Sequence, residues 1–132
     1  MRYGYIVLVA GKNKKMILET NDESFIEDIF KGGGRCVVKF KNNNCYLCDN
    51  LAPIYMKIAE KYKSHFEFFV VNVLENKKLR DFFTIDGVPT LYIFGSENVY
   101  EISDPEKPDD ETWFTKEYIE KTLLDFLKEE NK

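Results

Sequence analysis

The chain has 132 residues, 44% of them hydrophobic and 15% aromatic, enough to build one compact domain around its own core. A formal net charge of −4 argues against a nucleic-acid surface, and three cysteines cannot form a disulfide framework. The short apolar run Ile6 to Ala10 ends at Gly11-Lys12, too short for a membrane span and poor as a signal peptide. The expectation is a soluble cytoplasmic monomer in a reducing compartment, where cysteines are catalytic, metal-binding or plain core residues.

In chain order, residues 1–20 read as two N-terminal strands, Tyr3 to Val9 and Met16 to Thr20, around the turn-forming Gly11-Lys12-Asn13-Lys14. Asn21 or Asp22 is placed to cap a short helix with Phe25, Ile26, Ile29 and Phe30 on one face, and Gly32-Gly33-Gly34 stops it. Those glycines lack the spacing of a phosphate or dinucleotide loop. Cys36 to Phe40 reads as a buried strand and Asn42-Asn43-Asn44 as the turn leaving it. From Tyr46 to Lys63 a long helix shows Cys48, Leu51, Ala52, Tyr55, Met56, Ala59 and Tyr62 on one face, with a kink expected at the interior Pro53.

Phe66 to Leu74 is a further strand, Lys77 to Phe83 a short helix, and Thr90 to Phe94 a strand entered through Gly87-Val88-Pro89. Gly95 to Asn98 turns the chain into a hairpin strand, Val99 to Ile102. Residues 103–114 form an acidic loop; over 101–111 six carboxylates face one Lys107, a local net of −5. Its plainest reading is a solvated, proline-broken connector. Thr115 then caps a last helix over 115–132, with Trp113 a candidate hydrophobic staple or groove wall. Alternating strands and helices imply an α/β fold, a mixed sheet with helices on both faces, in a single domain whose core spans 21–102.

Two thiols one helical turn apart, Cys45-Tyr46-Leu47-Cys48, lie where a strand runs into a helix, and a Val88-Pro89 turn meets a sheet downstream. Together they suggest thiol–disulfide chemistry. A CxxC is also a zinc spacing, but zinc wants four ligands and the chain adds only Cys36 and His65, at unsuitable places. No metal site is expected, Cys36 reads as inert core, and His65 has no partner at catalytic spacing.

These residues resemble the thioredoxins. The resemblance runs from Asn21 to Phe94, through Asn21-Asp22-Glu23-Ser24-Phe25, the strand Val37 to Phe40, the dithiol, Ala52-Pro53-Ile54 and Gly87-Val88-Pro89-Thr90-Leu91. It implies a thioredoxin-like three-layer sandwich, extended by the N-terminal strands. It further implies a nucleophilic Cys45, a resolving Cys48 and a cis peptide bond between Val88 and Pro89 facing them. The chain departs from the family by Asn44 before the first cysteine, by Tyr46-Leu47 between the two, and by a longer segment before the last helix. The buried acid kept behind the second cysteine falls on Lys39, and the lysine accompanying it falls on Val70.

Cys45 at a helix start would meet free backbone N–H groups and the positive end of the dipole. Such settings lower a thiol pKa from about 8.5 toward roughly 3.5 to 7.5. Lys39 would favour the thiolate and Asp49 oppose it, while a snorkelling ammonium is the bland reading of Lys39. Tyr46, Leu47, Val88 and Pro89 are the candidate substrate contacts. The expected activity is an oxidoreductase acting on protein disulfides, with a separate reductase as partner and no cofactor beyond the Cys45–Cys48 disulfide. The alternatives are a glutathione-dependent, glutaredoxin-like enzyme and a redox-inactive interaction module.

Overall fold

The computed structural model describes residues 16–32 and 34–131; the strand expected over Tyr3 to Val9 lies outside them. Five strands form one sheet: β1 (Ile17–Glu19), β2 (Cys36–Lys41), β3 (Glu67–Asn72), β4 (Thr90–Phe94) and β5 (Val99–Glu101). Their order is β1-β3-β2-β4-β5, with β1, β3 and β2 parallel, β4 antiparallel to β2, and β5 antiparallel to β4. β2 is therefore central. Its residues are buried from Cys36 to Phe40, as a strand covered on both faces must be.

Strand alternation divides the core in two. Val37, Phe68, Leu91 and Ile93 face α1 (Tyr46–Tyr62) and α3 (Lys116–Glu130), whereas Val38, Phe40, Phe69 and Phe94 face a π-helical turn (Ile26–Phe30) and α2 (Lys77–Phe82). Aromatic edges fill the second layer, with Phe25 and Phe83 each 5.8–6.0 Å from Phe94.

Three local readings change in the structure. The segment after Asn21 winds as a π-helix, closed by the Lys31 amide donating to the Ile26 carbonyl at 2.9 Å. That i to i+5 bond widens the turn, so the 3.6-residue stripe no longer applies: Phe25 and Ile29 are buried, but Ile26 and Phe30 are exposed. Asn21 does turn the chain, its Oδ1 accepting from the Ser24 amide at 2.9 Å. Asp22 instead caps a different helix, accepting from the Leu79 amide at 3.0 Å at the start of α2, while its own amide donates to Asn76 Oδ1 at 2.9 Å. On α1 the buried face is Cys48, Leu51, Tyr55, Ile58, Ala59 and Tyr62; Ala52 and Met56 lie outside it. Pro53 stands inside that helix, where its missing N–H leaves the Asp49 carbonyl without the usual intrahelical donor.

Tyr55 joins helix to sheet. Its buried hydroxyl sits 2.8 Å from the Phe69 carbonyl and 3.1 Å from that of Val37, donating between adjacent strands β3 and β2. Burial raises its pKa well above the usual value, so it remains a donor. Replacing it by phenylalanine keeps the ring and removes the hydrogen bond. Tyr55→Phe should lower stability by about 1–2 kcal/mol in urea unfolding, and an unchanged midpoint would contradict this role.

Lys39 is the one lysine of this inner layer among the described residues. It is 4% exposed, so it does not snorkel, and its Nζ lies 4.8 Å from the centre of the Tyr55 ring. Burial, then repulsion from Lys41, lowers its pKa from 10.5 to about 8, and Asp49 opposes the drop. At neutral pH it is a buried cation, at a cost of about 3 kcal/mol. Between about pH 8 and 10.5 the unfolded chain holds this proton and the folded chain releases it, so stability rises with pH across that window. Lys39→Met should be the more stable protein at pH 7 by urea midpoint, with the gap narrowing toward pH 10.5. A gap independent of pH would contradict the depressed titration.

Candidate active site

The C-terminal end of β2 organises the site. Leaving Lys41, the chain makes the short turn 42–45 and enters α1 at Tyr46. Phe40 pairs with Thr90 across the antiparallel ladder, so the turn carrying Val88 and Pro89 arrives at the same end of the sheet. The register thus brings together residues distant in sequence.

Cys45 is the N-cap of α1. Its Sγ accepts a hydrogen bond from the Cys48 amide at 3.1 Å, in the place usually taken by a capping oxygen, and the two cysteines are joined as a disulfide with a Cα separation of 5.2 Å. Exposure separates them. Cys45 is partly open to solvent, whereas Cys48 is 1% exposed behind it. The Val88–Pro89 peptide bond is cis, Pro89 is buried, and the Val88 carbonyl oxygen lies 3.9 Å from Cys45 Sγ. Tyr46 is exposed and Leu47 half-buried at the helix start.

Lys39 and Val70 are direct neighbours in the parallel β2–β3 register. By strand alternation both face α1. Tyr55 sits over Val37 and Cys48 lies two helical turns nearer the helix start, so Lys39, two residues beyond Val37, lies under the segment between them. The cation therefore lies in the inner layer beneath α1, against the Tyr55 ring on the side toward the helix start. Asp49 is exposed on the outer side of the same first turn.

The acidic loop is not a free connector. Tyr46, between the two cysteines, donates its hydroxyl to the Asp110 carbonyl at 3.0 Å, and Asn50 Nδ2 donates to the Glu111 carbonyl at 2.9 Å. Asn50 was not among the candidates read from sequence; its i+4 spacing from Tyr46 is the signal that marks both as one side of a helix. Trp113 is not the staple on the last helix. Phe114 precedes the Thr115 cap, is 1% exposed, and packs in the same core cluster as Ile119.

Cys36 is buried at the opposite end of β2, and His65 is exposed beyond α1. Among the described residues no group of His, Cys, Asp and Glu could hold a metal ion, and no helix is long and apolar enough to cross a membrane.

The family model for thioredoxin matches residues 16–117. A thioredoxin from Acidithiobacillus ferridurans is 33% identical over 78 residues, covering 59% of this chain and 72% of that protein. A thioredoxin from Pseudomonas aeruginosa is 29% identical over 83 residues, covering 63% and 77%. A probable protein disulfide-isomerase A6 from Medicago sativa is 35% identical over 79 residues, 58% of this chain but 21% of that longer protein. In the solved J-Trx1 fragment of ERdj5 the same fold recurs, with a TM-score of 0.69 at 19% identity over 86% of this chain; this chain spans about half of that fragment, 52%. The chain belongs to the thioredoxin family of thiol–disulfide oxidoreductases.

Proposed function

We propose that this protein exchanges electrons with protein disulfides through a mixed disulfide at Cys45, with a separate reductase restoring the dithiol. The observation carrying this reading is the unequal burial of two cysteines at one helix N-terminus: Cys45 is partly open to solvent, and Cys48, bonded to it, is buried.

In the reduced protein the Cys48 amide and the helix N-terminus favour a Cys45 thiolate. That thiolate attacks one sulfur of a substrate disulfide; the S–S bond breaks, the mixed disulfide forms, and the first substrate sulfur leaves as a thiolate and takes a proton. Cys48, after losing its proton, attacks Cys45 Sγ. The second substrate thiolate leaves, the Cys45–Cys48 disulfide forms, and two electrons have passed to the substrate. No bound cofactor takes part. Tyr46, Leu47, Val88 and Pro89 border Cys45 and serve as contacts for the substrate chain.

Lys39 sets the poise. A buried cation behind the dithiol stabilises thiolate and therefore the reduced form, while Asp49 acts against it. Stabilising the reduced form makes the disulfide the stronger oxidant.

Dithiothreitol-driven insulin reduction should proceed with the parent protein and fall to background in Cys45→Ser; equal rates would point to a redox-inactive interaction module. Redox titration against glutathione gives the potential of the pair. Lys39→Met should move it to a more negative value by roughly 30 mV, which corresponds to about 1.4 kcal/mol. Asp49→Asn should move it the other way, and an unchanged potential in Lys39→Met would remove the electrostatic role.

A further inference from the structure

The reactive sulfur has two neighbours of different origin. One is the Val88 carbonyl, 3.9 Å from Cys45 Sγ, and the other is Tyr46, next in the chain, whose hydroxyl is tied to Asp110 of the 103–114 loop. The loop is thus positioned as a wall of the cleft where the oxidoreductase reading places the substrate.

This wall is held rigidly. Asp109 and Trp113 exchange backbone hydrogen bonds of 3.0 and 2.9 Å, and Asp109 Oδ1 accepts from the amides of Glu111 and Thr112. Trp113 takes a left-handed backbone conformation, φ 66°, costly for a bulky residue, and its indole N–H donates to Asp104 Oδ1 at 2.9 Å. Phe114 anchors the end of the loop in the core, and Asn50 fastens its tip to α1. The two contacts to α1 use loop carbonyls, which leaves the side chains of Asp110 and Glu111 exposed beside the cleft. Asp49 on the first turn of α1 and Asp86 on the segment leading to Pro89 are exposed as well.

We propose that the 103–114 loop, latched by Tyr46 and Asn50, is a specificity-determining wall that directs the Cys45–Cys48 dithiol to disulfides flanked by basic side chains. The inference rests on the oxidoreductase reading and adds the substrate class to it. Carboxylates on a loop docked against the first turns of the active-site helix attract a cationic chain and repel an acidic one, mainly through the encounter rate. The electron transfer itself is unchanged.

The test uses two fluorescence-quenched peptide disulfides, identical except for lysines or glutamates flanking the cysteines, with dithiothreitol recycling the enzyme. At low ionic strength the parent should reduce the lysine peptide with roughly tenfold higher kcat/KM, a ratio that falls toward one in 0.5 M salt. In the double variant Asp110→Asn, Glu111→Gln, which keeps both carbonyl acceptors and Asp109, the ratio should drop several-fold; because both peptides meet the same dithiol, any shift in its potential cancels from the ratio. A ratio equal to the parent's in that variant would overturn the inference and leave the function standing. Turnover of neither peptide above the Cys45→Ser background would overturn the function and the inference with it.

Discussion

The hydroxyl of Tyr55, set between the carbonyls of Val37 and Phe69, fixes how α1 lies on the sheet, and the dithiol depends on that placement. A helix packed only by apolar contacts can slide or roll by a fraction of a turn. Here one buried donor faces two backbone acceptors on adjacent strands, so a shift would leave polar groups without partners at a cost comparable to the bond itself. With the helix body pinned, its N-terminus projects from the end of β2, Cys45 becomes the cap, and Cys48 is turned inward. The β2–β4 register then delivers Pro89 to the same place.

Lys39 shows how the same scaffold is given a different electrostatic character. It occupies the inner layer under α1, beside Val70 in the parallel register, with an aromatic face from Tyr55 as its nearest partner among the described contacts. The cost of burying this ammonium is a loss of folding stability. Its proposed return is in the poise of the disulfide, since a positive charge beneath α1 favours the state in which the sulfurs at the start of that helix are negative. Asp49 on the solvent side of the first turn offsets part of the drop in the Lys39 pKa.

Much of this was legible in the sequence because it rests on short-range rules. The apolar run Cys36 to Phe40, the turn at Asn42-Asn43-Asn44 and the dithiol at a helix start each follow from local chemistry, and β4 occupies the expected Thr90–Phe94. What sequence patterns missed are relations across space. Asp22 looks like the cap of the helix that follows it and caps α2 instead, because that helix lies alongside in the fold. The stripe Phe25, Ile26, Ile29, Phe30 fits an α-helix, yet the segment is a π-helix in which half of the stripe faces solvent. For Lys39 the sequence leaves both a buried cation and a snorkelling side chain open, and a central strand covered on both faces gives it no short route to water. The acidic loop read as a solvated connector, since nothing local indicates that its carbonyls meet Tyr46 and Asn50.

The central claim is that the two sulfurs are unequal, Cys45 receiving the substrate and Cys48 resolving it from inside. Incubating Cys48→Ser with a disulfide substrate and identifying the adduct by mass spectrometry tests this most directly. The account predicts a stable mixed disulfide on Cys45 that accumulates because the resolving thiol is gone, and no comparable adduct on Cys48 in Cys45→Ser. Equal trapping at both positions, or none at Cys45, would contradict it.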